Sequence, residues 1–256
     1  MMADYYFLIT ALPPLSIGGS LDLSFKDLKE ILALNLTKKD LGKVKELLRP
    51  IDLYNLRAFF LQMPLDERGT VKAKELEEEL LVQQELPSYV IDFLERYETT
   101  EERLRYFSSL FASMYREAAD RYRGFLKHYF EIEREISLVL LGLRSKQWGK
   151  DLVRELQFED PYDPLVLELL SQKDSQELVP PHGYEDLKAL FISHVADPKS
   201  LNRAILEYRF EKIEEMEKPQ EFGIDRVLAY VAKFLLVESI FLLDKEKGME
   251  QLSQYE

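Results

Sequence analysis

The chain contains no cysteine, which removes disulfides, thiolate nucleophiles and Cys-ligated zinc or iron–sulfur centres from consideration and fits a reducing, intracellular compartment. Imidazole is almost as scarce. The three histidines, His128, His182 and His194, form no H-x-x-x-H, H-E-x-x-H or E-x-x-H pair, so neither a metal centre nor a cofactor is expected. Only 10 Gly and 11 Pro occur in 256 residues, too few for a turn-rich β architecture. Long apolar runs are also missing. The most apolar stretch, Val227 to Leu243, is divided by Lys233 and Glu238 and falls short of the roughly 20 residues a membrane span needs. The first eleven residues lack a basic region and carry Asp4, so no secretory or transit signal is read there. Positive charge is in deficit as well: 34 Lys and Arg stand against 47 Asp and Glu, a net charge of −13. That balance repels nucleic-acid backbone and anionic lipid unless a local basic patch overrides it. Proteins, basic ones among them, are the expected partners.

What is present is core material. Hydrophobic residues make up 46% of the chain and aromatics 12%, with 14 Tyr and 15 Phe, and Leu, Glu, Lys, Arg and Ala set a helical balance. The fold class is all-α: an elongated multi-helix bundle over residues 1–256, made of packed sub-bundles with no evident linker between domains. The opening segment, Asp4 to Leu15, is aromatic and apolar and reads as a short helix or a strand. Ser24 with Asp27 forms a capping box for a helix from about Ser24 to Leu34. Thr37 with Asp40 starts another, and Pro50 opens a third at a position where its missing N–H is tolerated. Thr70 caps an acidic helix through Gln84, whose outer face carries Glu75, Glu77, Glu78 and Glu79, a solvated face or a patch for a basic partner. Asp163-Pro164 and Asp197-Pro198 each place an N-cap acid before a first-turn proline. The last two helices are expected at about 197–218 and from about 224 to near the C-terminus.

Between Thr99 and Lys146, opened by a Thr99/Glu102 capping box, the apolar residues Leu104, Phe107, Phe111, Met114, Ala118, Tyr122, Phe125, Tyr129, Ile132, Ile136, Leu140 and Leu143 follow one another at steps of three or four. This spacing predicts a single very long helix over about 99–146, on the order of 65–70 Å at the α-helical rise. Gly124 marks a bend or a close crossing within it. Arg116, Arg121, Arg123, Lys127 and Arg134 interleave with tyrosines and Phe125, but neighbouring acids make this a solvated face with i to i+4 ion pairs. His128 reads as a hydrogen-bonded structural residue. Glu238, set among Phe234 to Val237 and Ile240 to Leu243, either shares an outer face with Ser239 and Lys245 or makes a fixed polar contact. No phosphate-binding glycine loop, nucleophile elbow or D-D-x-x-D cluster occurs.

Leu228-Ala229-Tyr230-Val231-Ala232-Lys233, followed by Glu238-Ser239-Ile240, resembles the closing helix of the C (or d) subunit of V-type and archaeal-type rotary ATPases. Asp52-Leu53-Tyr54-Asn55-Leu56-Arg57 is similar to that family's Asn-Leu-Lys/Arg helix motif, and Leu141-Gly142-Leu143-Arg144 to a degenerate second copy. Tyr5-Tyr6-Phe7-Leu8-Ile9 and the ending Leu243-Asp244-Lys245-Glu246-Lys247-Gly248 also resemble a bacterial family encoded among V-type ATP synthase genes. The chain is short for the family's three similar bundles, and Phe234 to Val237 intervene where an acid usually follows the lysine. The resemblance implies a funnel-like, non-catalytic adaptor at the inner face of the membrane, cytoplasmic and held there by its partners, the V-type ATPase shaft subunits and the proteolipid ring. It implies packing, capping or partner contact for Asn55, Arg57, Tyr230, Lys233 and Glu238. The alternatives are an unrelated helical scaffold, which lacks those partners, and an enzyme with a helical-bundle pocket, which needs converging polar groups.

Overall fold

A computed structural model describes residues 4–19, 21–72, 76, 78, 80, 82, 86–217 and 222–253, with side chains up to Leu243. Every regular element among the described residues is helical, and no strand occurs among them. The opening segment resolves as a helix, α1 (Tyr6–Ala11). Sequence-local caps set most of the later starts. In α2 (Phe25–Asn35) the Ser24 hydroxyl accepts from the Asp27 N–H at 3.2 Å while the Asp27 carboxylate accepts from the Ser24 N–H at 3.3 Å, the reciprocal box expected there. Thr37 caps α3 (Lys38–Leu47) through the Asp40 N–H. Pro50 lies in the first turn of α4 (Arg49–Phe60). After α5 (Ser88–Arg96), Thr99 and Glu102 form the second capping box, at α6 (Thr100–Arg105). The acidic helix expected from Thr70 to Gln84 falls mostly outside the described residues, Glu75, Glu77 and Glu79 included. Within it Leu76, Glu78, Leu80 and Val82 are helical.

The very long helix over 99–146 is not continuous. It is three helices: α6, α7 (Ser108–Arg121) and α8 (Phe125–Gln147). Tyr106 leaves helical geometry at φ −103°, ψ 15°, and Tyr122 is extended at φ −92°, ψ 164°. Gly124 then takes φ +64°, a conformation that glycine adopts without the clash a Cβ would create. The three-or-four spacing reported which face is apolar; it carried no information on whether one helix axis persists.

Short helices follow: α9 (Leu152–Glu155), α10 (Pro164–Ser171) capped by Asp163, and α11 (Glu185–His194). The two closing helices are α12 (Pro198–Met216), capped by Asp197, and α13 (Ile224–Ser253). The chain divides into two compact units, one of residues 1–36 with 131–256 and one of residues 37–130. In the first, α11 packs on α12 and α12 on α13. Its core joins Ile136, Val139, Leu143, Val166, Leu169, Leu187, Phe191 and Ile205, while Phe25 meets Phe234 with ring centroids 6.2 Å apart. In the second, α5 packs on α7, and α4 on α3, α6 and α7. No helix among the described residues is long and apolar enough to cross a membrane.

Candidate functional site

Several charged groups in the first unit pair with one another across helices. Glu133, Arg134 and Glu135 are consecutive on α8, so their side chains leave the helix about 100° apart. Each finds a different partner: Glu133 pairs with Arg209 of α12 at 3.1 Å, and Arg134 bridges Glu159 at 2.8 Å and Asp163 at 3.0 Å. Glu135 accepts from the Tyr184 hydroxyl at 2.5 Å. A helix met on three sides in this way is buried nearly all round, as the fully buried Ile136 and Val139 confirm. Burial pushes the Glu133 carboxyl above the ordinary glutamate range, and Arg209 offsets this only in part. Burial and the hydrogen bond to Glu135 likewise raise the Tyr184 hydroxyl.

The C-terminal residues singled out from the sequence are structural members of this unit. Lys233 is 9% exposed. Its ammonium lies 2.8 Å from Glu217 and 3.7 Å from Glu214 and 5.4 Å from the centre of the Phe210 ring. Glu217 also holds Arg226 at 3.0 Å, so one carboxylate joins two cations at the junction of α12 and α13. The Tyr230 hydroxyl donates to the Pro13 carbonyl at 2.9 Å, tying the opening segment to α13; burial raises that hydroxyl to about 12. Glu238 is half-buried on the same helix, between buried Val237 and Ile240. Gly142 lets Leu178 and Leu169 come close, since a Cβ there would stand 2.9 Å from Leu178.

In the second unit Asn55 and Arg57 part company. Asn55 is 3% exposed; its amide donates to the Asp66 carbonyl at 2.9 Å and accepts from the Asp66 N–H at 2.7 Å. One turn earlier Asp52 accepts from both the N–H and the hydroxyl of Thr70 at 2.7 Å, although burial still holds its carboxyl above the usual range. Together they clamp the loop after α4, and Gly69 is required beneath them because a Cβ would come within 2.4 Å of the Asn55 amide nitrogen. Arg57 faces outward.

Arg57 is the middle rung of a ladder. Tyr54 meets Phe111 with centroids 5.0 Å apart. Next along α4, the Arg57 guanidinium lies 6.0 Å from the Phe107 centroid, and after it Arg103 lies 5.5 Å from the centroid of Phe60. Steps of three along α4 (54, 57, 60) thus oppose steps of four running backward through α7 and α6 (111, 107, 103). Phe107 is buried, Tyr54 is 58% exposed, and the other rungs lie between or outward. Sequence reasoning placed Phe107 and Phe111 in the apolar stripe and Tyr54 in the Asp52–Arg57 motif. The opposed spacings were the available signal that the two segments pair.

Elsewhere Arg121 pairs with Glu117, its i−4 neighbour, at 2.9 Å, the ion pairing expected of that face. His182 is fully exposed beside Glu185 at 3.3 Å, and His194 lies 2.7 Å from the Ser200 hydroxyl. Among the described residues no group of three or more His, Asp or Glu is placed to hold a metal ion.

The sequence profile of a family described as "Protein of unknown function (DUF2764)" matches residues 2–254. A protein of Chlamydia muridarum (strain MoPn / Nigg) is 32% identical over 265 residues, covering 100% of this chain and 98% of that protein. One of Chlamydia trachomatis serovar D is 30% identical over 261 residues with the same coverage, and one of Chlamydia pneumoniae is 32% identical over 262 residues. No solved structure matches.

Proposed function

We propose, on the premise that the chain belongs to the DUF2764 family, that it is a non-catalytic adaptor of a V-type rotary ATPase, coupling the shaft subunits to the proteolipid ring. The observation that carries this reading lies in the closing helix. The segment that resembles the C subunits is the buried spine of the first unit: Val227, Leu228, Ala229, Val231, Ala232 and Phe234 are all buried, and Lys233 is locked to Glu217. In this helix the resemblance therefore falls on buried residues rather than on exposed ones. A helical body whose charges pair across helices is also suited to transmitting torque, a task that needs stiffness and interfaces rather than a reaction centre. On this reading the protein is cytoplasmic and reaches the membrane only through its partners, and ion transport belongs to the assembled complex.

The test is affinity purification of the full chain from mildly solubilised native membranes, with the bound proteins identified by mass. Shaft and ring subunits should be recovered together in comparable amounts. Their reproducible absence from the eluate, with intact motor present in the extract, would sink the rotary reading and leave a helical scaffold for another assembly.

A further inference from the structure

We propose that the arginine–aromatic ladder of the second unit is a docking surface for an acidic amphipathic helix of another protein. Three observations converge on it. The first is charge. Arg49, Arg68 and Arg121 of this unit hold carboxylates at 2.5, 2.6 and 2.9 Å, yet no ion pair among the described residues engages Arg57, Arg103 or Arg105. Of these, Arg57 is exposed on α4 itself, a cation that meets no carboxylate among the described residues in a chain of net charge −13. All three lie instead over rings: Arg57 on Phe107, Arg103 on Phe60, and Arg105 on Tyr106 at 5.5 Å. Arg103 also donates to the Tyr97 carbonyl at 2.8 Å and to that of Leu94 at 3.5 Å, so it is the exposed Arg57 whose guanidinium the ring orients while leaving N–H groups for an incoming acceptor.

The second is exposed apolar surface in the same place. Tyr54 is 58% exposed, Leu61 44% and Met63 58%, and tyrosine, arginine and methionine are the types that interfaces concentrate. The third is shape. Tyr54, Arg57 and Leu61 fall at i, i+3 and i+7, a straight row about 10 Å long at the α-helical rise. That row matches two turns of a helix laid alongside, with its apolar side chains against Tyr54 and Leu61 and a carboxylate against Arg57. A continuous polyanion fits less well, because exposed Glu98, Glu101 and Glu102 flank Arg103 and Arg105 and repel an unbroken run of phosphates. Discrete carboxylates between apolar groups avoid that conflict. The inference rests on the ladder alone and stands or falls independently of the rotary reading.

The experiment replaces Tyr54 in the full chain with the photoreactive p-benzoylphenylalanine, irradiates the native cells, and sequences the crosslinked peptide. The expected adduct is one protein segment with acidic and apolar residues at helical spacing. Its yield should fall about tenfold with Arg57→Glu, an exposed position at which folding is checked by circular dichroism, a loss typical of charge reversal at a contact. Changing the partner's crosslinked-segment acid to Lys should restore the Arg57→Glu adduct. The photoreactive residue at Ile192, exposed in the other unit, should not give this adduct. Unchanged yield with Arg57→Glu overturns the proposal. So does an adduct with nucleic acid, lipid or a second copy of this chain, or no adduct above the Ile192 control.

Discussion

Replacing Lys233 by alanine removes the ammonium that Glu217 was buried to meet. The Lys233 and Glu217 side chains are 11% and 10% exposed, so solvent screens little of their 2.8 Å contact. Deleting one member of a buried pair costs roughly 3–5 kcal/mol, because the other charge is stranded. Here the strand is incomplete: Arg226 stays 3.0 Å from the second Glu217 oxygen, which lowers the charge contribution to about 2 kcal/mol by the same logic. Glu214, 52% exposed and 3.7 Å away, adds nothing measurable. Losing the aliphatic stem and its contact with Phe210 adds roughly 1 kcal/mol. Lys233→Ala should therefore cost about 3 kcal/mol and Lys233→Met, which keeps the stem, about 2. Urea titration followed by far-UV circular dichroism measures both, and a cycle with Glu217→Gln should return a coupling energy above about 1 kcal/mol. A loss within about 0.5 kcal/mol for Lys233→Ala, or no coupling to Glu217, would refute the structural role and return Lys233 to the list of partner contacts. With the structural role intact, Lys233→Met should still recover whatever partners the wild type does.

Asn55→Ala strips two hydrogen bonds from the Asp66 backbone and should cost about 2–3 kcal/mol, with faster hydrogen exchange at the Asp66 amide; unchanged exchange would show that the loop holds itself. Gln62 ends α4 at φ +55°, with Met63 N–H bonded to the Ala58 carbonyl at 2.9 Å and Gln62 N–H to that of Phe59 at 3.1 Å, a Schellman closure that glycine suits better. Gln62→Gly should raise stability by about 0.5–1 kcal/mol, and a lower denaturation midpoint would contradict it. Because burial raises the Glu133 carboxyl, its ionised form costs folding free energy above its folded pKa, and that cost fades as pH falls through it toward the ordinary glutamate range. The stability of the wild type relative to Glu133→Gln should accordingly improve as pH drops from about 7, and a pH-independent difference would remove burial as the cause.

The helix starts were legible in the sequence because a cap closes within three residues. Ser24/Asp27, Thr99/Glu102, Asp163-Pro164 and Asp197-Pro198 each satisfy N–H groups the chain presents locally, with no help from distant segments. All-α character was legible too, from composition and apolar spacing summed over the whole chain. Continuity was not. The stripe from Leu104 to Leu143 would look the same on one rod or on three helices sharing an apolar face, and only the backbone at Tyr106 and at Tyr122 to Gly124 separates these cases. Side-chain roles were decided by tertiary structure alone. Asn55 and Arg57 sit two residues apart on one helix, so they face different neighbours: one clamps a loop, the other lies on Phe107. Lys233 reads as an interruption of an apolar run until α12 brings Glu217 to it. A cap is a short-range hydrogen bond, so the sequence by itself determines it; the worth of a buried charge depends on which remote segment arrives beside it, and only the packed helices determine that.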